Sequence, residues 1–245
     1  MRPALQQAGS EQFLAHAHRA LVLGGALVAA VLVAALVVPT GPLAGDRSWA
    51  ELMDDIQTPA LKHVALVLND LGRGLGRALS LAAVAVVLLV ARRWLALLAF
   101  VATESLTPTI SNVLKHLVDR PRPPGGLIEP SGASFPSGHA AYAGATTVAL
   151  VLLFTTPGRR LLWWTLAALG IALMAWSRTY LQVHWLSDVV AGSMLGVGIS
   201  LLAFGGAQLW DRRAQHEANQ GRRRSGRRRT RRAGSDQDAG PPPNR

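Results

Sequence analysis

Between Arg19 and Asp46 the chain runs ALVLGGALVAAVLVAALVVPTGPLAG, residues 20–45, without a single charge. At about 1.5 Å per residue, roughly 20 apolar residues cross a hydrocarbon core of about 30 Å. A helix buried in a soluble domain rarely needs that length, so the stretch reads as a membrane span. A secretory signal peptide is a poor reading, because the run is long and no convincing cleavage site precedes the next segment.

The same pattern recurs, and six spans are expected: 20–39, 74–91, 94–114, 139–156, 161–177 and 187–210. Arg92 and Arg93 separate the second and third, Arg159 and Arg160 the fourth and fifth, and an Arg-rich tail follows the sixth. Basic loops mark the cytoplasmic side. Both termini are therefore expected in the cytoplasm, with the loops after spans one, three and five outside. All seven Trp fit this map: Trp94, Trp163, Trp164 and Trp210 at inner ends, Trp176 and Trp185 at outer ends, Trp49 in the first outer loop. The expected organisation is an N-terminal cytoplasmic segment 1–19, an all-α six-span domain 20–210 and a tail 211–245.

The chain has no cysteine, which excludes a disulfide framework, a thiolate metal site and a cysteine nucleophile. Its net charge of +11 suggests nucleic acid until it is located: residues 211–245 hold eleven Arg and four acids and supply +7. This tail is poor in apolar residues and ends in a proline run, so disorder is expected. A solvated tail that fixes topology, touching at most anionic lipid head groups, is favoured over specific nucleic-acid binding. The first outer loop, about 46–73, has helical spacing and is expected to form short interfacial helices broken at Pro59, serving as a connector.

Three polar groups fall on the outer face: KHLVDRPRP (115–123), SFPSGH (134–139) and SRTYLQVHWLSD (177–188). Lys115 ends a span, and Pro121 and Pro123 keep Arg122 on extended chain. Cations converging in a half-dry site call for an anion, most simply phosphate. Pro136 then breaks the incoming chain and leaves Ser137 and Gly138 at a helix start. The orphan N–H groups and the dipole there make an anion cradle, or else a capped helix beside an interfacial His139. Arg178 adds a further guanidinium. His184 and Asp188 are spaced i, i+4, so the carboxylate can accept from one imidazole nitrogen and leave the other as a nucleophile. Together these residues read as a phosphoryl-transfer site. His184 attacks phosphorus and His139 protonates the departing oxygen, then activates water. Lys115, Arg122, Arg178 and the Ser137 and Gly138 backbone hold the charged oxygens.

The three groups resemble the signature of the type 2 phosphatidic acid phosphatase superfamily. Its Lys, six residues, Arg-Pro is met by Lys115 and Arg122-Pro123, and its Pro-Ser-Gly-His by Pro136 to His139. Its Ser-Arg, five residues, His, three residues, Asp is met by Ser177-Arg178, His184 and Asp188. The resemblance covers about 46–208. It implies a helical bundle with an outward-facing site, no metal and no cofactor, and a lipid phosphate or diphosphate substrate. The candidates are a polyprenyl diphosphate, phosphatidic acid, phosphatidylglycerol phosphate or a polyprenyl-linked sugar phosphate. An Ala-, Arg-, Gly- and Val-rich composition suggests a high-GC bacterium and its inner membrane, which favours cell-wall carrier recycling. Vanadium haloperoxidases share the cradle but are soluble; a non-catalytic scaffold would have lost part of the site. Glu104, at span depth, is expected to be structural. Asp119 and Arg120 are expected to pair with each other or to shape access.

Overall fold

In the computed structural model of the chain, residues 2–38 and 40–237 are described, with side chains for 15–38, 40–156, 158–218 and 220. The described residues form helices and no strand: α1 Arg2–Val37, α2 Ala44–Asp55, α3 Pro59–Leu71, α4 Gly74–Val90, α5 Trp94–Val118, α6 Gly138–Phe154, a 3-10 turn Pro157–Arg159, α7 Arg160–Tyr180 and α8 Leu186–Gln237. The break expected at Pro59 is there, with Thr58 as N-cap accepting from the Leu61 N–H and Pro59 at the first helical position.

Among the described residues four helical stretches are long and apolar enough to cross a membrane: Ala15–Val37, Trp94–Val118, Arg160–Tyr180 and Leu186–Ala218. The pair α3 and α4, bent by 54°, makes a fifth if it is one broken span. The count is therefore four or five, against the six expected. The difference lies in the two shortest segments, because α4 and α6 have 17 residues each, which at about 1.5 Å per residue is the lower edge of what crosses a core.

Residues 1–207 form one compact unit and 208–245 another. In the second, helix continues to Gln237 where disorder was expected. Arginine and alanine are good helix formers, and no proline occurs between 208 and 240. Residues 238–245 of the expected tail lie outside the described residues.

Within the first unit α5, α6 and α7 pack in sequence, α3 lies on α7 and α4, and α1 lies on α5. One apolar cluster joins Val31 of α1, Leu114 of α5, Phe135 and Leu195 of α8. The α6–α8 contact is backbone on backbone. A methyl group added at Gly192 or Gly196 would run into the carbonyl oxygens of Ser137 and Ala141, and one at Gly144 would lie 2.6 Å from that of Ser193. Small residues four apart on one helix face let two backbones approach this closely. The contact brings the start of α6 against the start of α8, where the Ser137 N–H donates to the Asp188 carbonyl at 3.0 Å.

Gly196→Val is expected to cost about 1–3 kcal/mol or more, because neither backbone can yield. Thermal unfolding in detergent should fall by several degrees, while Gly25→Ala, with nothing within 4 Å of its added methyl, leaves it in place.

Candidate active site

Two helix starts face each other across one guanidinium. Asp46, in the first turn of α2, accepts from the Leu43 N–H at 2.9 Å, and Asp188, in the first turn of α8, accepts from the Trp185 N–H at 2.9 Å. A carboxylate three residues past the N-cap is well placed to satisfy such an orphan donor. Arg120 lies between them, donating to Asp188 Oδ1 at 2.6 Å and to Asp46 Oδ2 at 2.8 Å with all three side chains at most 2% exposed. Ser187 closes the ring. Its N–H and hydroxyl both donate to Asp46 at 2.8 Å, and its hydroxyl oxygen accepts from Arg120. Burial pushes the Asp46 carboxyl up, but the donors from Ser187, Leu43 and Arg120 outweigh it and hold the group below its ordinary value.

In front of this clamp is a cavity of about 340 Å³ whose lining includes Lys115, Arg122, Gly138, His139, Arg178 and His184. The sequence-predicted residues thus converge, with two exceptions. Asp188 stands behind His184, and Ser137 is fully buried. The Ser137 N–H, expected in the anion cradle, is taken by Asp188, so the donors left at the helix start begin at Gly138. The tight α6–α8 approach is the physical reason.

The cations are held before any ligand arrives. Lys115 Nζ donates to the Ala133 carbonyl at 2.6 Å. All five Arg122 N–H groups have acceptors: the carbonyls of Ser131, Gly132, Ala133 and Val183, and His184 Nε2 at 3.2 Å. Arg178 donates to Asn69 Oδ1 at 2.7 Å, while its buried Nε has no hydrogen-bond partner among the described residues.

The histidine tautomers follow from these partners. A guanidinium can only donate, so His184 Nε2 accepts and its proton sits on Nδ1. Nδ1 faces Asp188 Oδ2 at 3.7 Å, an ion-pair distance too long for a hydrogen bond. Burial, followed by the charges of Lys115, Arg122 and Arg178, holds the His184 imidazole well below its ordinary pKa, so it rests neutral. His139 Nε2 lies 3.3 Å from the Asn69 backbone carbonyl, which can only accept, so this nitrogen carries a proton.

Several of these residues carried no signal in the sequence. Arg120 was expected to pair with its neighbour Asp119, but Asp119 is the left-handed cap of α5 (φ 45°) and Arg120 turns inward to Asp46 and Asp188. The 46–73 stretch, expected to be a connector, supplies Asp46 to the clamp and Asn69 to Arg178 and His139. Tyr180 and Gln182 pack the loop, bonding to Thr58 and to the Ala50 carbonyl. Glu104 is buried and accepts from the Thr146 hydroxyl at 2.8 Å.

Arg120→Met strips two buried carboxylates of their shared cation, a change that costs about 3–5 kcal/mol. A large drop in the unfolding temperature is expected, and an unchanged temperature would show that the clamp is dispensable.

The profile of the PAP2 superfamily matches residues 93–211. An undecaprenyl-diphosphatase of Sulfolobus acidocaldarius is 38% identical over 102 residues, 38% of this chain and 47% of that protein. Phosphatidylglycerophosphatase B of Bacillus subtilis is 32% identical over 103 residues, 39% of this chain and 50% of that protein. The chain thus spans about half the length of the curated relatives it matches. In fold it is similar to the transmembrane PAP2-type phosphatidylglycerolphosphate phosphatase of B. subtilis, with a TM-score of 0.65 and 22% identity over 78% of this chain and 96% of that one. Aquifex aeolicus LpxE is similar with a TM-score of 0.56 and 22% identity over 66% and 95%. Asp46 and Asn69 lie outside the matched segment, but all three motifs, from Lys115 to Asp188, lie inside it, so the part of the chain that matches the PAP2 superfamily is the part that carries the candidate site.

Proposed function

We propose that the chain is a multi-pass membrane phosphatase that hydrolyses a lipid phosphate or diphosphate through a phosphohistidine. The observation that carries this reading is His184 on the lining of a cavity that also holds Lys115, Arg122 and Arg178, with its Nε2 accepting from Arg122. Lys115, Arg122 and Arg178 bind the transferring phosphoryl group, with the Gly138 N–H at the start of α6. A phosphate oxygen takes over the Arg122 donor that rests on His184 Nε2, and this frees the lone pair. Nε2 attacks phosphorus, the bond to the leaving oxygen breaks, and His139, which gains a second proton beside the bound phosphate anion, delivers a proton to that oxygen. Water then attacks the phosphohistidine, His139 takes its proton, and inorganic phosphate leaves. Asp188, itself held by Arg120 and Trp185, stabilises the positive charge that develops on His184.

In this reading α6, at 17 residues, is the sixth crossing, within the roughly 17–25 residues a span requires. Both termini are cytoplasmic and the site opens at the outer face, as the placement of Arg and Trp suggests. The preferred substrate is a polyprenyl diphosphate, in line with the name of the Sulfolobus relative. A glycerolipid monoester is the second reading, in line with the name of the Bacillus one. The 211–245 tail acts in topology and at anionic head groups.

The test is phosphate release by the full chain in detergent from polyprenyl diphosphate, phosphatidic acid and phosphatidylglycerol phosphate. Fastest release from the diphosphate is expected, with His184→Ala reduced to background. Turnover that survives His184→Ala would sink the nucleophile assignment. The depressed pKa adds a pH prediction. A histidine that stays neutral in the folded state gains nothing from acid, so stability falls as pH drops below the ordinary value of about 6.5. In the resting protein the His184 NMR signals should stay flat from about pH 8 to about pH 6, where an unperturbed imidazole would be half protonated or more. A midpoint near 6.5 would contradict the neutral resting state.

A further inference from the structure

Four cationic side chains line the cavity, and Lys115, Arg122 and Arg178 are each anchored to a protein acceptor. The fourth, Arg73, makes no side-chain hydrogen bond or ion pair within the described residues and is exposed. Arg73 directly follows Gly72, which packs against the His139 ring, so Arg73 stands on the His139 side of the cavity.

Its position is set by tight neighbours. At Gly72 an added methyl would lie 2.5 Å from Cδ2 of His139, so the backbone just before Arg73 rests on that imidazole. One turn earlier Asn69 holds Arg178 through its side chain and faces His139 with its carbonyl. The α3–α4 junction is thereby pinned beside the group that serves the departing oxygen. At about 340 Å³ the cavity has the size of a small-molecule head-group site, with no room for a long isoprenoid tail.

The geometry points to Arg73 as a second anion subsite, one that receives the leaving phosphate of a lipid diphosphate and makes the site selective for diphosphates over monoesters. This rests on the phosphatase reading above and names its substrate class. A phosphate monoester departs as a neutral alcohol once its oxygen is protonated, and it has no use for another cation. A diphosphate departs as a lipid phosphate. As the bond from His184 nitrogen to the terminal phosphorus forms, the bond from that phosphorus to the bridging oxygen breaks and its electron pair stays on the bridging oxygen. That oxygen takes the His139 proton, and the remaining charge on the leaving phosphate needs a partner in the transition state. Arg73 supplies it as a bidentate donor. Glu129, the carboxylate on the same lining, opposes any anion there, and the Arg73 guanidinium offsets it.

The test compares wild type with Arg73→Gln and Arg73→Lys, all as full chain in detergent. A charge-assisted contact to the leaving group is worth about 10- to 100-fold in rate. Arg73→Gln should therefore lower kcat/KM on polyprenyl diphosphate by about that factor. The loss should exceed that on phosphatidic acid by about tenfold, with partial recovery in Arg73→Lys. Equal losses on both lipids, or none on the diphosphate, would overturn the subsite. A second measurement needs no turnover: calorimetric binding of methylenediphosphonate against orthophosphate. Wild type should prefer the diphosphonate and Arg73→Gln should lose that preference. If neither lipid is hydrolysed, the phosphatase reading falls, and the diphosphonate preference alone decides the subsite. No preference in wild type overturns it.

Discussion

A single buried guanidinium carries the organisation of this site. Arg120 is fully enclosed and answers two carboxylates that each already cap a helix start. An isolated charge at such depth costs several kcal/mol, and only a near-complete set of partners makes it tolerable. Here the set spans the chain: Asp46 and the Gly41 carbonyl before α2, Ser187 and Asp188 at the start of α8. Removing Arg120 leaves both carboxylates without their cation, so α2 and α8 are tied together through it. Asp188, the carboxylate behind His184, is positioned by this clamp as much as by its own helix.

Around the clamp, backbone contact sets the finer positions. The glycines of α8 let α6 approach until the carbonyls of Ser137 and Ala141 fill the space a side chain would occupy. On the other side Asn69 ties α3 to Arg178 on α7. Three of the cations that face the cavity, Lys115, Arg122 and Arg178, are fastened to carbonyl or amide oxygens in advance. A field made of held charges needs little rearrangement when an anion arrives, and such preorganisation is what phosphoryl transfer chiefly asks of a protein.

Much of this was legible in the residues alone. The convergence of Lys115, Arg122, Gly138, His139, Arg178 and His184 on one cavity follows from three motifs at the same ends of neighbouring helices. The break at Pro59 and the close packing at Gly192 and Gly196 follow from residue types with strong local consequences. Asp46, Asn69 and Arg120 were not legible. Each has a partner far along the chain, 74 residues for Asp46 to Arg120 and 109 for Asn69 to Arg178. Of the six expected spans, four or five meet the length and composition of a crossing, and the difference falls at α4 and α6, where apolar runs of 17 residues sit at the edge of what a crossing requires.

By itself the sequence determined the helical membrane class, the inventory of cations and imidazoles, and the helix starts and stops. All of these depend on composition or on neighbours within about four residues. The tertiary structure alone decided which of the cavity's cations are held by partners among the described residues, on which nitrogen His184 keeps its proton, and that the Ser137 N–H is spent on Asp188. Those are matters of burial and of pairing between distant segments. In a low-dielectric interior the energy of a charge depends on every group within a few ångströms, and no local pattern records which groups those are.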